Sequence, residues 1–131
     1  MSAPSCTITI IPGTKIIKSE PYGSWTPEYT IQNREDIINL SKKINDNKWG
    51  FLGMILNMDP ILDARTSQEF AKFHPEFEKK GCTAIAFVVG KKVAIKAQAQ
   101  RHHDTSSASQ LQIRHFYEEE EAVEWLKSFG L

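Results

Sequence analysis

Neither an excess of one charge nor a long apolar run marks this chain. Sixteen Lys and Arg balance sixteen Asp and Glu, so no basic field exists to hold a phosphate backbone, and nucleic-acid binding is not expected. The longest apolar runs, such as residues 84–89, are far too short to cross a bilayer. Met1-Ser2-Ala3-Pro4-Ser5-Cys6 has no basic stretch followed by an apolar core, so it does not read as a secretory signal. Cysteine is scarce. Cys6 and Cys82 are the only two, without the C-x-x-C spacing of a zinc site or redox pair. They are expected to be small buried apolar groups in a reducing, cytoplasmic compartment. A P-loop, a dinucleotide fingerprint, a nucleophile elbow and a zinc-protease motif are all missing, so no cofactor or metal is expected.

What remains is an ordinary globular composition. The 131 residues are 40% hydrophobic, 24% charged and 10% aromatic, which suits one domain spanning 1–131 and excludes a wholly disordered chain. No repeat, low-complexity segment or linker divides it.

Cys6-Thr7-Ile8-Thr9-Ile10 alternates polar and apolar residues as a half-buried strand does. Pro12-Gly13-Thr14 turns the chain, and Lys15-Ile16-Ile17-Lys18-Ser19-Glu20 resumes the extended pattern, giving a hairpin. Thr26-Pro27-Glu28 reads as a helix start: hydroxyl cap, proline at the first position, then an acid against the dipole. Ile37, Leu40 and Ile44 share one face of that helix. The nearly continuous apolar run over 49–58 is expected to be one central strand covered on both faces. After a loop at 59–65, Thr66-Ser67-Gln68-Glu69 matches a capping box, which places Thr66 at the start of a second helix. Phe70, Phe73 and Phe77 form its aromatic stripe, and Pro75 predicts a kink or restart. Residues 83–89 read as a second buried strand. The stretch 91–101 fits a strand by alternation, or a helix by its alanine, glutamine and lysine content. Residues 110–117 alternate again as a strand. A last helix follows, with Glu118 to Glu121 at its start, Ala122, Leu126 and Phe129 on its buried stripe, and Gly130 at its stop. The expected fold class is α/β, ordered ββαβαβαβα: an N-terminal hairpin, then alternating helices and strands in a mixed, mostly parallel sheet flanked by helices.

Ile113-Arg114-His115-Phe116 followed by Glu121-Ala122-Val123-Glu124-Trp125-Leu126 resembles the closing pattern of SpoIIAA-like (STAS-type) domains. Gly23-Ser24-Trp25-Thr26-Pro27-Glu28, Trp49-Gly50-Phe51-Leu52-Gly53 and Gly81-Cys82-Thr83-Ala84-Ile85-Ala86 are similar to earlier family segments, in the family's order. The resemblance implies a bacterial binding or regulatory module whose fold is shared with lipid-carrying CRAL-TRIO domains. It also tips 91–101 toward helix. Regulatory members carry a phosphorylatable serine in an Asp-Ser-Ser-Gly turn. Here 59–67 is longer and lacks Ser-Ser-Gly, with Thr66 and Ser67 at the comparable helix start, where a phosphate would be favoured electrostatically.

In parallel α/β sheets ligands gather at the carboxyl ends of strands, which makes Asp59 and Asp63 the carboxylates to inspect first, with Thr66 and Ser67 beside them. His102-His103-Asp104 has the look of a metal cluster, but adjacent residues on an extended chain point oppositely and no second ligand pair supports them. The expected function is a non-enzymatic module binding a protein partner or a small apolar ligand, with a two-fold homodimer as one form of partner binding. The alternative is a small enzyme in which His102 or His103 meets Asp59 or Asp63 in one cleft. The ligand reading requires an apolar cavity between sheet and helix.

Overall fold

The computed structural model describes residues 3–44, 46–89 and 111–131. Strand β1 (Ser5–Ile10) and strand β2 (Ile16–Gly23) form an antiparallel hairpin that pairs Ile10 with Ile17 and Ser5 with Tyr22. Thr14 closes its turn through both backbone and hydroxyl: the amide and Oγ1 each donate to the Ile11 carbonyl, at 3.1 and 2.8 Å. Helix α1 (Pro27–Ser41) begins as its sequence foretells, with Thr26 accepting from the Tyr29 amide at 3.1 Å and proline in the first turn.

Strand β3 (Trp49–Met54) then enters parallel to β2. Beyond it the apolar run does not continue as one strand. The chain turns at Ile55 and Leu56, and a two-residue strand β4 (Asn57–Met58) crosses to pair with the end of β2. The run stays apolar because Ile55 in the turn and Met58 in β4 are both buried, beside Trp25 and Val89. Hydrophobicity alone cannot separate a buried turn from a buried strand.

Helices α2 (Ala64–Ala71) and α3 (Phe73–Lys79) follow, separated at Lys72, three residues before Pro75, which falls in the first turn of α3. The second helix starts earlier than the capping-box pattern suggests. Its cap is Asp63, extended at φ −104° and ψ 146°, whose carboxylate accepts from the Thr66 amide. Glu69 closes no box, because it faces Arg34 of α1 and Lys72 instead. Strand β5 (Cys82–Val88) lies parallel to β3, strand β6 (Gln112–Phe116) parallel to β5, and helix α4 (Glu119–Lys127) ends the fold. The stretch 91–101 and the pair His102 and His103 lie outside the described residues.

Among the described residues six strands form one sheet in the order β1-β2-β3-β5-β6, with β4 alongside β2. Alternation along each strand builds two cores. On one face Ile16, Leu52, Ala84, Ala86 and Val88 pack against Ala122, Leu126 and Leu131 at the C-terminal helix. On the other, Ile17, Phe51, Cys82 and Ile85 pack against Ile37 of α1 and Phe73 and Phe77 of α3. Among the described residues no helix is long and apolar enough to cross a membrane.

Candidate functional site

On the face covered by α1, α2 and α3, successive rows of side chains run across the sheet. One row pairs Ile17, Phe51, Ile85 and Ile113 and fills the space beneath the helices. The next row toward the carboxyl ends pairs Ser19, Gly53, Phe87 and His115. Two small residues on adjacent strands leave that row hollow. The result is a partly open cavity of about 60 Å³ between the carboxyl ends of β2, β3 and β5 and the helices above them.

Its walls are apolar and largely aromatic. The sheet contributes Phe51, Phe87 and, from β4, Met58, the β3–β4 turn Ile55, and the helices Phe70 and Phe73. Trp25 closes one end. Its indole Nε1 donates to the Tyr22 carbonyl at 3.1 Å, and its ring lies 4.8 Å from Tyr29 and 5.3 Å from Phe70. Phe87 can lie over β3 because Gly53 has no side chain: a Cβ there would sit 2.9 Å from Phe87 Cδ1. The Phe87 ring is stacked on His115 at 5.6 Å and lies 6.1 Å from His74.

Polar groups are few and specific in place. Ser19 (3% exposed) and Asn33 (6% exposed) line the cavity from β2 and α1. The Cys6 sulfur lies 3.2 Å from Ser19 Oγ, and burial pushes the Cys6 thiol up despite its contacts with Ser19 and Asn33. Buried His74 adds an imidazole from α3. Asp59 adds a carboxylate from the loop after β4. Its Oδ2 accepts from the Ser24 hydroxyl at 2.6 Å, while its backbone amide donates to the Gly23 carbonyl at 2.9 Å.

The four residues singled out in the sequence therefore separate. Asp59 lines the cavity; Asp63, Thr66 and Ser67 make up the start of α2 instead. The Thr66 amide and hydroxyl both donate to Asp63 Oδ2, at 2.9 and 2.8 Å, and hold that carboxyl below the usual range. Thr66 itself is fully buried. Sequence reasoning overlooked Ser19, Asn33 and His74. A signal existed: Thr30, Asn33, Ile37 and Ser41 are the buried positions of α1, so polar residues interrupt an inward stripe. Among the described residues no group of three His, Cys, Asp or Glu is placed to hold a metal ion.

No protein-family model matches the sequence, and no curated protein matches it. Solved structures do. A DUF3478-family protein with a SpoIIAA-like fold from Shewanella loihica PV-4 superposes with a TM-score of 0.68. It is 15% identical and covers 96% of this chain and 98% of its own. SiaC of Pseudomonas aeruginosa gives a TM-score of 0.46 at 12% identity, over 84% of this chain and 99% of its own. The chain thus has a SpoIIAA-like fold, as its sequence resemblance implied. At such identity the likeness is one of fold alone.

Proposed function

We propose that this chain is a non-enzymatic binding module whose ligand is a small apolar molecule held in the cavity between the sheet and helices α1 to α3. The observation that carries this reading is the hollow row at Ser19 and Gly53, which leaves an aromatic-lined space where ligands gather in parallel sheets. A space of this size holds roughly four or five waters or one small ring. With about 0.5–0.8 kcal/mol gained per ligand atom, a ring of roughly eight heavy atoms binds at millimolar to tens-of-micromolar affinity.

The test is an NMR titration of the isotope-labelled chain with single-ring compounds, alongside native mass spectrometry of the purified protein. Saturable shifts confined to Ser19, Gly53, Ile55 and Phe87 are expected. Ser19→Val, which restores the branched residue of the preceding row, is expected to abolish them while the protein stays folded. Shifts elsewhere, or none at millimolar compound, overturn the reading. A second reading, a protein partner, is favoured by Leu62, which is 90% exposed beside the cavity-lining Ile61. A partner side chain seated in the cavity would protect Leu62 and Ile61 together.

A further inference from the structure

We infer that the cavity discriminates by head group, holding a single-ring compound with a neutral or cationic hydrogen-bond donor and rejecting the matching carboxylate. The inference rests on the reading of the cavity as a ligand site and names the chemistry of its occupant. Among the described residues the polar lining groups besides the buried imidazole of His74 are Ser19, Asn33 and Asp59, and none of the lining side chains is a lysine or arginine. The arginine next to Asn33 in sequence is directed away: Arg34 Nη1 donates to the Glu69 carbonyl at 2.8 Å and Nη2 to Glu69 Oε1 at 3.2 Å. Arg65, on the far side of the Asp59 loop, pairs with Glu28 at 3.8 Å in solvent.

Among the described residues Asp59 is therefore the charged side chain with which an occupant must contend. Ser24 uses one of its carboxylate oxygens at 2.6 Å, and among the described residues Oδ1 has no partner. A donor on the ligand, hydroxyl or ammonium, completes that oxygen's coordination. Ser19 Oγ adds acceptor capacity, since one contact to Cys6 does not exhaust a hydroxyl's two lone pairs. A ligand carboxylate would instead lose its hydration to an apolar chamber and face a like charge, with no guanidinium or ammonium among the described lining residues to offset it. Shape alone would not produce this preference, because the three head groups compared below are nearly equal in size.

Benzyl alcohol, benzylamine and benzoate are titrated into the full chain at neutral pH and followed by NMR. The alcohol and the amine are expected to shift the Ser19, Gly53 and Ile55 amides, with benzoate weaker by at least about tenfold. Asp59→Asn is expected to narrow the gap between amine and benzoate by about tenfold while changing the alcohol by less than about twofold. Ser24→Ala, which frees the second oxygen without disturbing the loop's backbone bond to Gly23, is expected to strengthen the amine and leave benzoate weak. Benzoate binding as tightly as the alcohol, or a gap unmoved by Asp59→Asn, overturns the head-group inference while leaving the cavity a ligand site. Failure of all three compounds to bind overturns both.

Discussion

Replacing Arg34 with alanine removes the latch that ties α1 to α2 above the cavity. The guanidinium donates to the Glu69 carbonyl at 2.8 Å and to its carboxylate at 3.2 Å, and lies 5.9 Å from the Phe73 ring centroid. The two side chains are 12% and 17% exposed, so their pairing is poorly screened. A hydrogen bond to a charged group contributes about 1.5–3 kcal/mol, one to a carbonyl about 1, and the ring contact about 0.5. These overlap, and the expected loss is about 2–3 kcal/mol. At about 3–5 °C per kcal/mol for a chain of this size, the unfolding midpoint should fall by roughly 6–15 °C. The Glu69 carboxyl is held below its ordinary range first by the hydrogen bond from Lys72 and then by that from Arg34. Lys72 is 55% exposed, however, so solvent screening leaves Arg34 the larger share of the stability. A depressed carboxylate pKa stabilises the fold above the unfolded value and loses that contribution as pH falls through the folded one. The cost of Arg34→Ala should therefore shrink toward about 1 kcal/mol as pH falls through the lowered folded-state pKa of Glu69, below which only the carbonyl bond and the ring contact remain. Urea unfolding of both proteins at neutral and acid pH measures this directly. Equal cost at the two pH values, or a neutral-pH cost under about 1 kcal/mol, would refute the assignment of the pair as the main tie between the helices.

On the opposite face, Gly50 lets the C-terminus close over β3: a Cβ there would lie 2.5 Å from Leu131 Cδ1. Gly50→Ala is expected to cost roughly 1–3 kcal/mol, and Leu131→Ala in the same chain should recover part of it, giving a non-additive cycle in urea melts. Additive costs would show that Leu131 is not the obstacle. The cysteines should differ in reactivity. Cys82 is buried, and burial pushes its thiol far above the usual range, while Cys6 is half-buried and only partly shielded. Ellman's reagent should modify Cys6 slowly in the folded chain and Cys82 only on unfolding; equal rates for the two would contradict the burial of Cys82.

The elements that the sequence revealed are those fixed by neighbours in the chain. Thr26-Pro27-Glu28 caps α1 wherever it is packed, and the Ser5–Ile10 hairpin strand shows its alternation because only one face is covered. The break at Ile55 and Leu56 was hidden, since a strand and a buried turn demand the same apolar side chains. The cap of α2 was misplaced for a related reason. Asp63 and Thr66 both carry capping oxygens; Asp63 takes the Thr66 amide and hydroxyl, and Glu69, which a capping box would turn back to the cap, pairs instead with Arg34, 35 positions away. A window of local sequence does not contain that competitor.

The site divides along the same line. Asp59 was within reach of sequence reasoning because the carboxyl-end rule concerns chain direction, which the strand and helix pattern already carries. Asp63, in the same loop, could not be told from it until the Thr66 amide and hydroxyl were seen to occupy its carboxylate. Ser19 and Gly53 are the converse: each alone is an unremarkable small residue in a strand. They become a cavity only through register, because β2 and β3 align Ser19 beside Gly53, whereas one row earlier they align Ile17 beside Phe51. A register slip of two residues would keep every side chain on its face and still bring Ser19 opposite Phe51, filling the chamber. The cavity is thus a property of strand alignment more than of composition. Substitutions that fill this row should remove binding while leaving the fold intact, whereas substitutions in the row of Ile17 and Phe51 should cost stability first.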